Sequence, residues 1–361
     1  MTLLAIVDQI GEGWTLAAGG LLIGAVFGAF AQQSKFCLRA ATVEFGRGAI
    51  GQKTVLWLLV FSIAIFATQM ISVLGLVDTS EARQLASPQS LSGAVLGGLI
   101  FGSGMVLARG CASRLLVLSA TGNLRALLSG LVFAVVAQAS LRGFLSPVRE
   151  TLAGVATSNM VGGNSLLQMP GISQGSAFVL SAVALAGAIA LSTYRNLSIW
   201  QAVSALGVGA TIPLAWWFTA SMSAIAFEPV QLEAITFTGP SADFLMMFLS
   251  PLGGALDFDI GLVPGVYLGS LAAAAITGQI EIAGFEGGQA MKRYLLGAAM
   301  MGFGGMLAGG CAVGAGVTGA SIFAITAWLT LFAIWLAAIV TDWAIDKKCL
   351  APSISRPNPA S

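Results

Sequence analysis

The sequence predicts an all-α integral membrane protein of about nine transmembrane helices, with short re-entrant helices and an inverted internal repeat. Its 361 residues are 57% hydrophobic and only 9% charged, whereas soluble domains are about 45–50% apolar and about 25% charged. Uncharged apolar stretches, long enough to cross a bilayer, follow one another along most of the chain. A 17-residue segment that contains Cys111 recurs 200 residues later around Cys311. These three observations together exclude a soluble globular protein.

The apolar stretches predict nine spans, because a helix needs about 20 apolar residues to cross the hydrocarbon core. The spans lie near residues 15–32, 54–77, 91–108, 126–141, 176–192, 197–220, 260–277, 294–310 and 321–341. Two further segments, 142–175 and 221–259, are more polar or are interrupted by proline and glycine. We predict that these two are outer loops whose short helices dip into the membrane or lie on it.

The distribution of basic residues predicts the orientation, because cytoplasmic loops retain lysine and arginine. With the N-terminus outside, 13 of the 16 basic residues fall on the inner side. The three outer ones are Arg83, Arg142 and Arg149, and the inner ones are Lys35, Arg39, Arg47, Lys53, Arg109, Arg114, Arg125, Arg195, Lys292, Arg293, Lys347, Lys348 and Arg356. Acidic residues such as Glu228, Glu233, Asp243, Asp257 and Asp259 fall on the outer side.

Six tryptophans lie at or near predicted span ends, where an amphipathic ring is well accommodated. They are Trp14, Trp57, Trp200, Trp216, Trp217 and Trp343.

The repeat matches LGGLIFGSGMVLARGCA, residues 96–112, with LGAAMMGFGGMLAGGCA, residues 296–312, and nine of the 17 positions are identical. The predicted orientation makes the first copy run inward and the second outward, so the repeat is inverted, as in many transporters. We expect one membrane domain, residues 1–361, with inverted halves at about 10–160 and 175–345. The remaining residues 346–361 form a cytoplasmic tail in this prediction.

Each copy of the repeat predicts a helix, a glycine turn, a cysteine and a short helix. From Tyr294 to Thr341 there are 48 consecutive uncharged residues, including the turn GGCAVGAGVTGAS. A turn at the water surface usually carries charge, so this one is predicted to fold back into the bilayer, where it must line a protein cavity. Gly110 and Gly310 precede the cysteines and let a ligand approach the backbone. The N–H groups at each short helix start can then face an anion.

Composition excludes several kinds of function. The chain has no histidine, which removes histidine-ligated metals, histidine-based catalytic triads and imidazole pH switches. A net charge of +1 gives no electrostatic reason for a nucleic-acid partner. The four cysteines are too scattered for a disulfide scaffold, and no spacing among them predicts a metal site. They are Cys37, Cys111, Cys311 and Cys349, of which Cys349 lies in the polar C-terminal region and is predicted to be a bystander. We therefore predict no cofactor.

Three cysteines, Cys37, Cys111 and Cys311, lie at span ends or predicted re-entrant turns. Each is either a small buried apolar residue or a functional thiol. The chain has no Cys-x-x-Cys pair for disulfide exchange, which leaves a soft contact for a soft ligand, and a sulfur-containing anion fits. An unperturbed thiol has a pKa of about 8.5, so neutral S–H donors are expected at pH 7. Arg109 and Arg114 flank Cys111; they either attract an anion or anchor the inner side of the membrane.

The elements SKFCLRAA, GSGMVLARGCASRLL and GFGGMLAGGCAVGAGVTG, in a glycine-rich chain of nine spans, resemble the YeeE/YedE sulfur-transport family. The resemblance covers most of the chain. It implies an hourglass-shaped bacterial inner-membrane protein with a periplasmic N-terminus and a cytoplasmic C-terminus. It also implies a constricted path lined by Cys37, Cys111 and Cys311, along which thiosulfate is relayed by S–H hydrogen bonds. Besides membrane lipid, the implied partner is a separate TusA-like cytoplasmic sulfurtransferase.

The resulting prediction is a transporter, not an enzyme, that takes up thiosulfate or a similar small sulfur anion. Two alternatives stay open within sulfur and selenium chemistry. One is a membrane sulfur-transfer enzyme that forms a cysteine persulfide, and the other is a transporter of a selenium-containing compound. A channel or scaffold with purely structural cysteines is the third alternative.

Overall fold

The computed structural model describes residues 3–168, 173–249, 256–285 and 287–349, and it describes side chains up to residue 345. Within these ranges the regular structure is helical, and the few β-bridges are isolated, which confirms the predicted all-α class. The predicted tail, 346–361, lies almost entirely outside the described residues.

Sixteen α-helices occur in the described ranges. They are α1 (Leu3–Ile10), α2 (Glu12–Ser34), α3 (Leu38–Gly46), α4 (Gln52–Val73), α5 (Arg83–Ala86), α6 (Leu91–Leu107), α7 (Ala112–Ala120), α8 (Leu124–Arg142), α9 (Ser146–Ala153), α10 (Gln174–Tyr194), α11 (Ile199–Ser223), α12 (Thr238–Leu249), α13 (Phe258–Ile276), α14 (Gly288–Leu307), α15 (Gly319–Ser321) and α16 (Ile325–Cys349). A π-helix, Ala312–Thr318, precedes α15, and three short 3₁₀ turns occupy Thr79–Glu81, Ser158–Val161 and Leu166–Gln168.

Nine helical segments of the described chain are long and apolar enough to cross a membrane, as predicted. They are Glu12–Gly46, Gln52–Val73, Leu91–Ala120, Leu124–Arg142, Gln174–Tyr194, Ile199–Ser223, Phe258–Ile276, Gly288–Ser321 and Ile325–Ile345. Three of them are broken internally: α2 leads into α3, α6 into α7, and α14 into the π-helix and α15. The two predicted loops do contain short helices, α9 in the first and α12 in the second.

Side-chain caps set several of the helix starts. Ser90 accepts a hydrogen bond from the Gly93 amide at 2.7 Å, and Asn123 accepts one from Ala126 at 2.9 Å. Asp257 does the same for the Ile260 amide at 3.0 Å. Such caps satisfy N–H groups that have no partner inside the helix. Each of these helices therefore begins directly after a short polar side chain.

Successive spans alternate in direction, so the molecule has two faces. We call the face at which α2, α6, α13 and α16 begin the N-face, and the opposite one the C-face. Contacts between distant segments fix this assignment: Phe227, after α11, donates its amide to Glu12 at the N-face. The Trp200 indole, at the start of α11, donates to Gln33 at the C-face.

Glycines set the closest helix packing. Gly20, Gly24 and Gly28 of α2 each face the α13 backbone so closely that an added Cβ would overlap a carbonyl oxygen of α13. This confirms the close packing that their spacing of four predicts. The α6 and α14 helices cross at their own glycines in the same way, and they run antiparallel.

The tryptophan prediction is wrong at two positions. Trp57 is 6% exposed and Trp216 is fully buried, and the Trp216 indole donates to the Ser321 hydroxyl at 3.2 Å. Trp216 therefore holds α15 in place instead of lying at a membrane–water boundary. Proximity to a span end failed here because α11 continues beyond Trp216 and packs against other helices on this side.

Candidate functional site

The three broken spans repeat one backbone device. In each, a helix ends, the residue two positions before a cysteine takes a positive φ, and the cysteine becomes the N-cap of the next helix. The φ angles are 53° at Lys35, 55° at Arg109 and 78° at Gly309. The cysteines are Cys37, Cys111 and Cys311. The sequence predicted this arrangement in the two repeat copies only; at the first span it predicted no more than a cysteine at a span end.

The two glycines predicted at the turns differ in how strongly the backbone needs them. Gly310 has a φ of 159°, and an added Cβ would meet the Ala315 amide nitrogen at 2.7 Å. At Gly110 the nearest obstacle is a methyl group of the Leu115 side chain at 3.3 Å, which can move. Gly310 also lines a cavity at the N-face. The requirement for glycine is therefore steric at Gly310 and weaker at Gly110.

Cys311 lies in a pocket of hydrogen-bond donors. Its Sγ accepts the Gly314 amide at 3.4 Å, and the Val313 and Phe237 backbones and the Thr236 side chain lie near it. The residue is 1% exposed. The segment before α12 is thus a wall of the Cys311 site, 75 residues away in sequence, and no signal in the sequence pointed to it.

The π-helix that follows Cys311, together with α15, is held by two buried hydrogen bonds from other parts of the chain. The Thr318 hydroxyl donates to the Ile235 carbonyl oxygen at 2.7 Å. The Gln69 amide of α4 donates to the Ser321 carbonyl oxygen at 2.7 Å. Because these groups are buried, each hydrogen bond satisfies a polar atom that water does not reach. The turn is therefore fixed within the protein, as irregular backbone at membrane depth requires.

The other two thiols form a pair. The side chains of Cys37 and Cys111, 74 residues apart in sequence, lie close enough to interact with each other. The Cys111 Sγ is also 3.4 Å from the Ser113 hydroxyl. Cys111 is 1% exposed, whereas Cys37 is half-buried. The sequence placed all three cysteines at turns but carried no indication that two of them meet.

Polar cavities flank the thiols toward the two faces. A cavity of about 420 Å³ at the N-face is lined by Thr236, Gly309 and Gly310, next to Cys311. A cavity of about 540 Å³ at the C-face is lined by Lys35 and Arg114, the neighbours of Cys37 and Cys111 in sequence. We call these the N-face cavity and the C-face cavity. Each cavity thus reaches residues that are close in sequence to one or two of the thiols.

Arginine side chains surround the thiol pair on the C-face side. Arg109, predicted as an anion-attracting residue, lies with its guanidinium 5.7 Å from the centre of the Tyr294 ring, and Arg125 approaches the same ring to 4.7 Å. Arg114, the other predicted residue, acts electrostatically on Cys37. Guanidinium nitrogens that are buried and have no hydrogen-bond partner among the described residues belong to Arg39, Arg114, Arg125 and Arg293. Such donors are suited to an anion.

The N-face cavity carries acidic side chains. The sequence predicted that these residues lie on the outer side but did not predict that they share one site. Its walls include Glu233, Asp243, Asp257 and Asp259. The predicted seventh span, 260–277, left Asp259 out, but the helix begins at Phe258 and takes Asp259 in as a buried residue. This helix therefore carries a buried carboxyl group in its first turn. Burial, together with the negative charges of Asp257 and Asp243, raises the pKa of Glu233 to about 7 against the opposing charge of Arg83.

A family model described as "Sulphur transport" matches residues 33–340, which include the turns of Cys37, Cys111 and Cys311. The chain belongs to this family. Two curated relatives match over nearly their whole length. The "Thiosulfate transporter TsuA" of Escherichia coli (strain K12) is 23% identical over 355 residues, which cover 92% of this chain and 95% of the relative. The "Thiosulfate transporter TsuA" of Spirochaeta thermophila is 26% identical over 355 residues, which cover 93% of this chain and 99% of the relative.

Family membership confirms the resemblance that the three cysteine motifs carry. It makes the chain a multi-pass membrane protein that transports sulfur compounds, and it confirms the predicted class of transporter over that of enzyme. Both relatives have nearly the length of this chain, so the comparison concerns the whole transmembrane unit.

Proposed function

We propose that the protein takes up thiosulfate, or a similar small sulfur-containing anion, along a path past Cys311 and then past Cys111 and Cys37. The observation that carries this proposal is that one polar cavity reaches the turn before Cys311 and a second, at the opposite face, is lined by chain neighbours of Cys37 and Cys111. The names of both relatives support thiosulfate as the substrate.

Neutral thiols suit this anion. An S–H group donates a weak, polarisable hydrogen bond, which a terminal sulfur of the anion accepts, whereas a full positive charge inside the path would hold the anion too tightly. Conduction requires binding that is favourable and still weak enough to release the ion. Backbone amides around Cys311 add donors without adding charge. Gly310 lines the cavity beside them and leaves room for an anion at the backbone.

The proposed architecture is an hourglass of two inverted halves, about 10–160 and 175–345. Reciprocal contacts at the crossing of α6 and α14 support it. A Cβ on Gly97 would meet the Gly304 carbonyl oxygen at 2.6 Å, and a Cβ on Gly297 would meet the Gly104 carbonyl oxygen at 2.6 Å. Gly97 and Gly297 differ by 200 residues, the repeat offset, and so do Gly104 and Gly304. Exchange of the two repeat copies therefore reproduces the same contact, as a two-fold axis requires.

Uptake of a dianion needs a source of free energy. Movement into a cell that is negative inside costs about 2.3 kcal/mol per charge for each 100 mV, or about 5 kcal/mol for two charges. Consumption of the anion in the cytoplasm or coupling to another ion must supply this free energy. A separate TusA-like sulfurtransferase at the C-face fits the first of these routes.

Growth tests the substrate. In a bacterial strain without other importers, this protein should support growth on thiosulfate as the sole sulfur source, and cells should accumulate ³⁵S-labelled thiosulfate. An empty vector and growth on cysteine serve as controls for the strain. Uptake of selenium-containing anions in preference to thiosulfate, at equal concentration, would support the selenium alternative instead.

The C-face is proposed to be cytoplasmic in the bacterial inner membrane, because 13 of the 16 basic residues belong to it in the span assignment. We expect alkaline phosphatase fused in the 74–90 connection to be active and the same fusion in the 277–287 connection to be inactive. Green fluorescent protein fused at the same sites should give the opposite pattern. Activity of alkaline phosphatase at 277–287 alone would reverse the orientation and the direction of the proposed path.

A further inference from the structure

The N-face cavity joins two opposing sets of charged groups. Its carboxyl groups come from three parts of the chain: Glu233 from the segment before α12, Asp243 from α12, and Asp257 and Asp259 from the start of α13. The guanidinium groups on its walls are those of Arg83, Arg142 and Arg149. These are also the three basic residues that the sequence assigns to this face.

Few of these charges neutralise each other directly. Among the described residues, one ion pair within 4.0 Å involves a residue of the cavity. It joins Arg149 to Glu150, and Glu150 does not line the cavity. Arg149 also donates its Nε to the Ser140 carbonyl oxygen at 2.8 Å. Asp257 accepts the Ile260 amide as an N-cap. Arg83 and Arg142 are thus the cations available to a ligand in this cavity.

Asp259 has a buried carboxyl oxygen that no hydrogen bond among the described residues satisfies. It is only 9% exposed, it lines the cavity, and its Oδ1 has no hydrogen-bond partner among the described residues. A buried carboxylate without a partner is costly, whereas a neutral carboxyl group there can donate a hydrogen bond to a ligand. No set of three or more acidic, cysteine or histidine side chains in the described chain is arranged to hold a metal ion. The ligand that this group lacks is therefore a proton.

Thr236 connects the carboxyl groups to the thiol path. It lines the N-face cavity, and its side chain packs against Gly314 in the turn that follows Cys311. An anion that reaches Cys311 from this side thus passes the walls that carry Glu233 and Asp259. Two negative charges beside two buried carboxylates repel one another in a region of low dielectric constant. The same anion beside two neutral carboxyl groups and two arginines is attracted.

We propose that Glu233 and Asp259 form a proton-binding site whose occupation is required for an anion to bind in the N-face cavity. Asp243 and Asp257 add negative charge that favours proton binding, and Arg83 and Arg142 supply the positive field that holds the anion. Proton and anion then bind with positive coupling, and by linkage each increases the affinity of the other. A dianion bound together with two protons carries no net charge. The proposal rests on the proposed function for the identity of the anion.

Burial and the negative charge of Asp257 help to raise the pKa of Glu233 to about 7. They also raise the pKa of Asp243, although the positive charge of Arg142 opposes this rise. The proton-bound form is then present below about pH 7 and is lost as the pH rises through that value. Anion affinity should therefore be highest on the acidic side and should fall about tenfold per pH unit above it for each linked proton.

Two measurements on purified full-length protein test the inference. The first is thiosulfate binding from pH 5.5 to 8.5, with the dissociation constant as readout. The second is the infrared absorption of protonated carboxyl groups over the same range without any anion. We expect the dissociation constant to rise above pH 7, and the carboxyl band to titrate there and to weaken in E233Q and D259N. E233Q, which mimics the proton-bound side chain, should lower the pH slope by about one proton.

E228Q is the matched control, because Glu228 lies at the same face, is exposed and does not line the cavity; it should leave both readouts unchanged. If D259N fails to fold, E233Q still decides the outcome. Thiosulfate binding that is independent of pH, or a wild-type protein without a carboxyl band above pH 6, overturns the proton site and leaves thiosulfate as substrate. A carboxyl band without thiosulfate binding at any pH overturns the linkage and, separately, the proposed substrate.

Discussion

Replacement of Cys311 by alanine should reduce thiosulfate uptake by about ten- to a hundredfold at equal expression. The Sγ belongs to the turn that the N-face cavity reaches at Gly309 and Gly310, and its donor is lost without replacement. A hydrogen bond to a charged group is worth about 1.5–3 kcal/mol, and 1.4 kcal/mol is a factor of ten. Replacement of Cys111 should have a similar effect, because its thiol is equally buried. The measurement is initial uptake of ³⁵S-labelled thiosulfate in cells or proteoliposomes.

Serine at the same positions separates the two roles of the thiol. A hydroxyl group keeps the donor but loses the polarisable sulfur, so we expect Cys311→Ser to transport better than Cys311→Ala and worse than the wild type. Cys349→Ala is the matched control, since it removes a cysteine that lies outside the repeat and the proposed path, and it should transport normally. Unimpaired uptake by both alanine variants would exclude a relay through the thiols.

Mass spectrometry of the cysteines distinguishes transport from sulfur transfer. In a transfer enzyme, a cysteine thiolate would attack the outer sulfur of thiosulfate, break the S–S bond, release sulfite and keep that sulfur as a persulfide. The proximity of Cys37 and Cys111 gives this alternative a structural basis, because one thiol could attack the persulfide of the other. Mass spectrometry after exposure to thiosulfate decides between the two: we expect unmodified thiols, and a stoichiometric gain of one sulfur would support the enzyme.

Gly97→Ala and Gly297→Ala should destabilise the protein to nearly the same extent, by about 1–3 kcal/mol each. At Gly97 an added Cβ would lie 2.5 Å from the Ala308 amide nitrogen, and at Gly297 it would lie 2.5 Å from the Ala108 amide nitrogen. Backbone atoms cannot rotate away as a side chain can, so α6 and α14 must separate. Because these helices carry the turns of Cys111 and Cys311, folded variant protein should also transport poorly. Thermal unfolding in detergent, followed by size-exclusion chromatography, measures the effect.

Gly187→Ala is the control for this pair. Gly187 lies within α10, and an added Cβ there meets no atom within 4 Å, so stability should be unchanged or slightly higher, as alanine favours a helix. Equal losses at Gly97 and Gly297 are the result that a two-fold relation between the halves predicts. A large loss at one position and none at the other would contradict that relation.

Most of the fold was predictable because a membrane constrains local sequence strongly. Nine spans could be read from charge and apolar length, and the structure places nine segments at nearly the same residues. Errors occurred at the span ends, where a shift of two residues took Asp259 into α13. They also occurred with Trp216, whose surroundings depend on how α11 packs against its neighbours.

The sequence by itself determined that this is a multi-span membrane protein of a sulfur-transport family, and that Cys111 and Cys311 lie at glycine-rich turns. Apolar length, charge distribution and short motifs are properties of neighbouring residues, so no folding is needed to recognise them. Only the tertiary structure decided that Cys37 lies close to Cys111, that Thr236 lies near Cys311, and that acidic residues from three parts of the chain share one cavity. These contacts join residues at least 70 positions apart or loops without regular pattern, and their distances follow from helix packing alone.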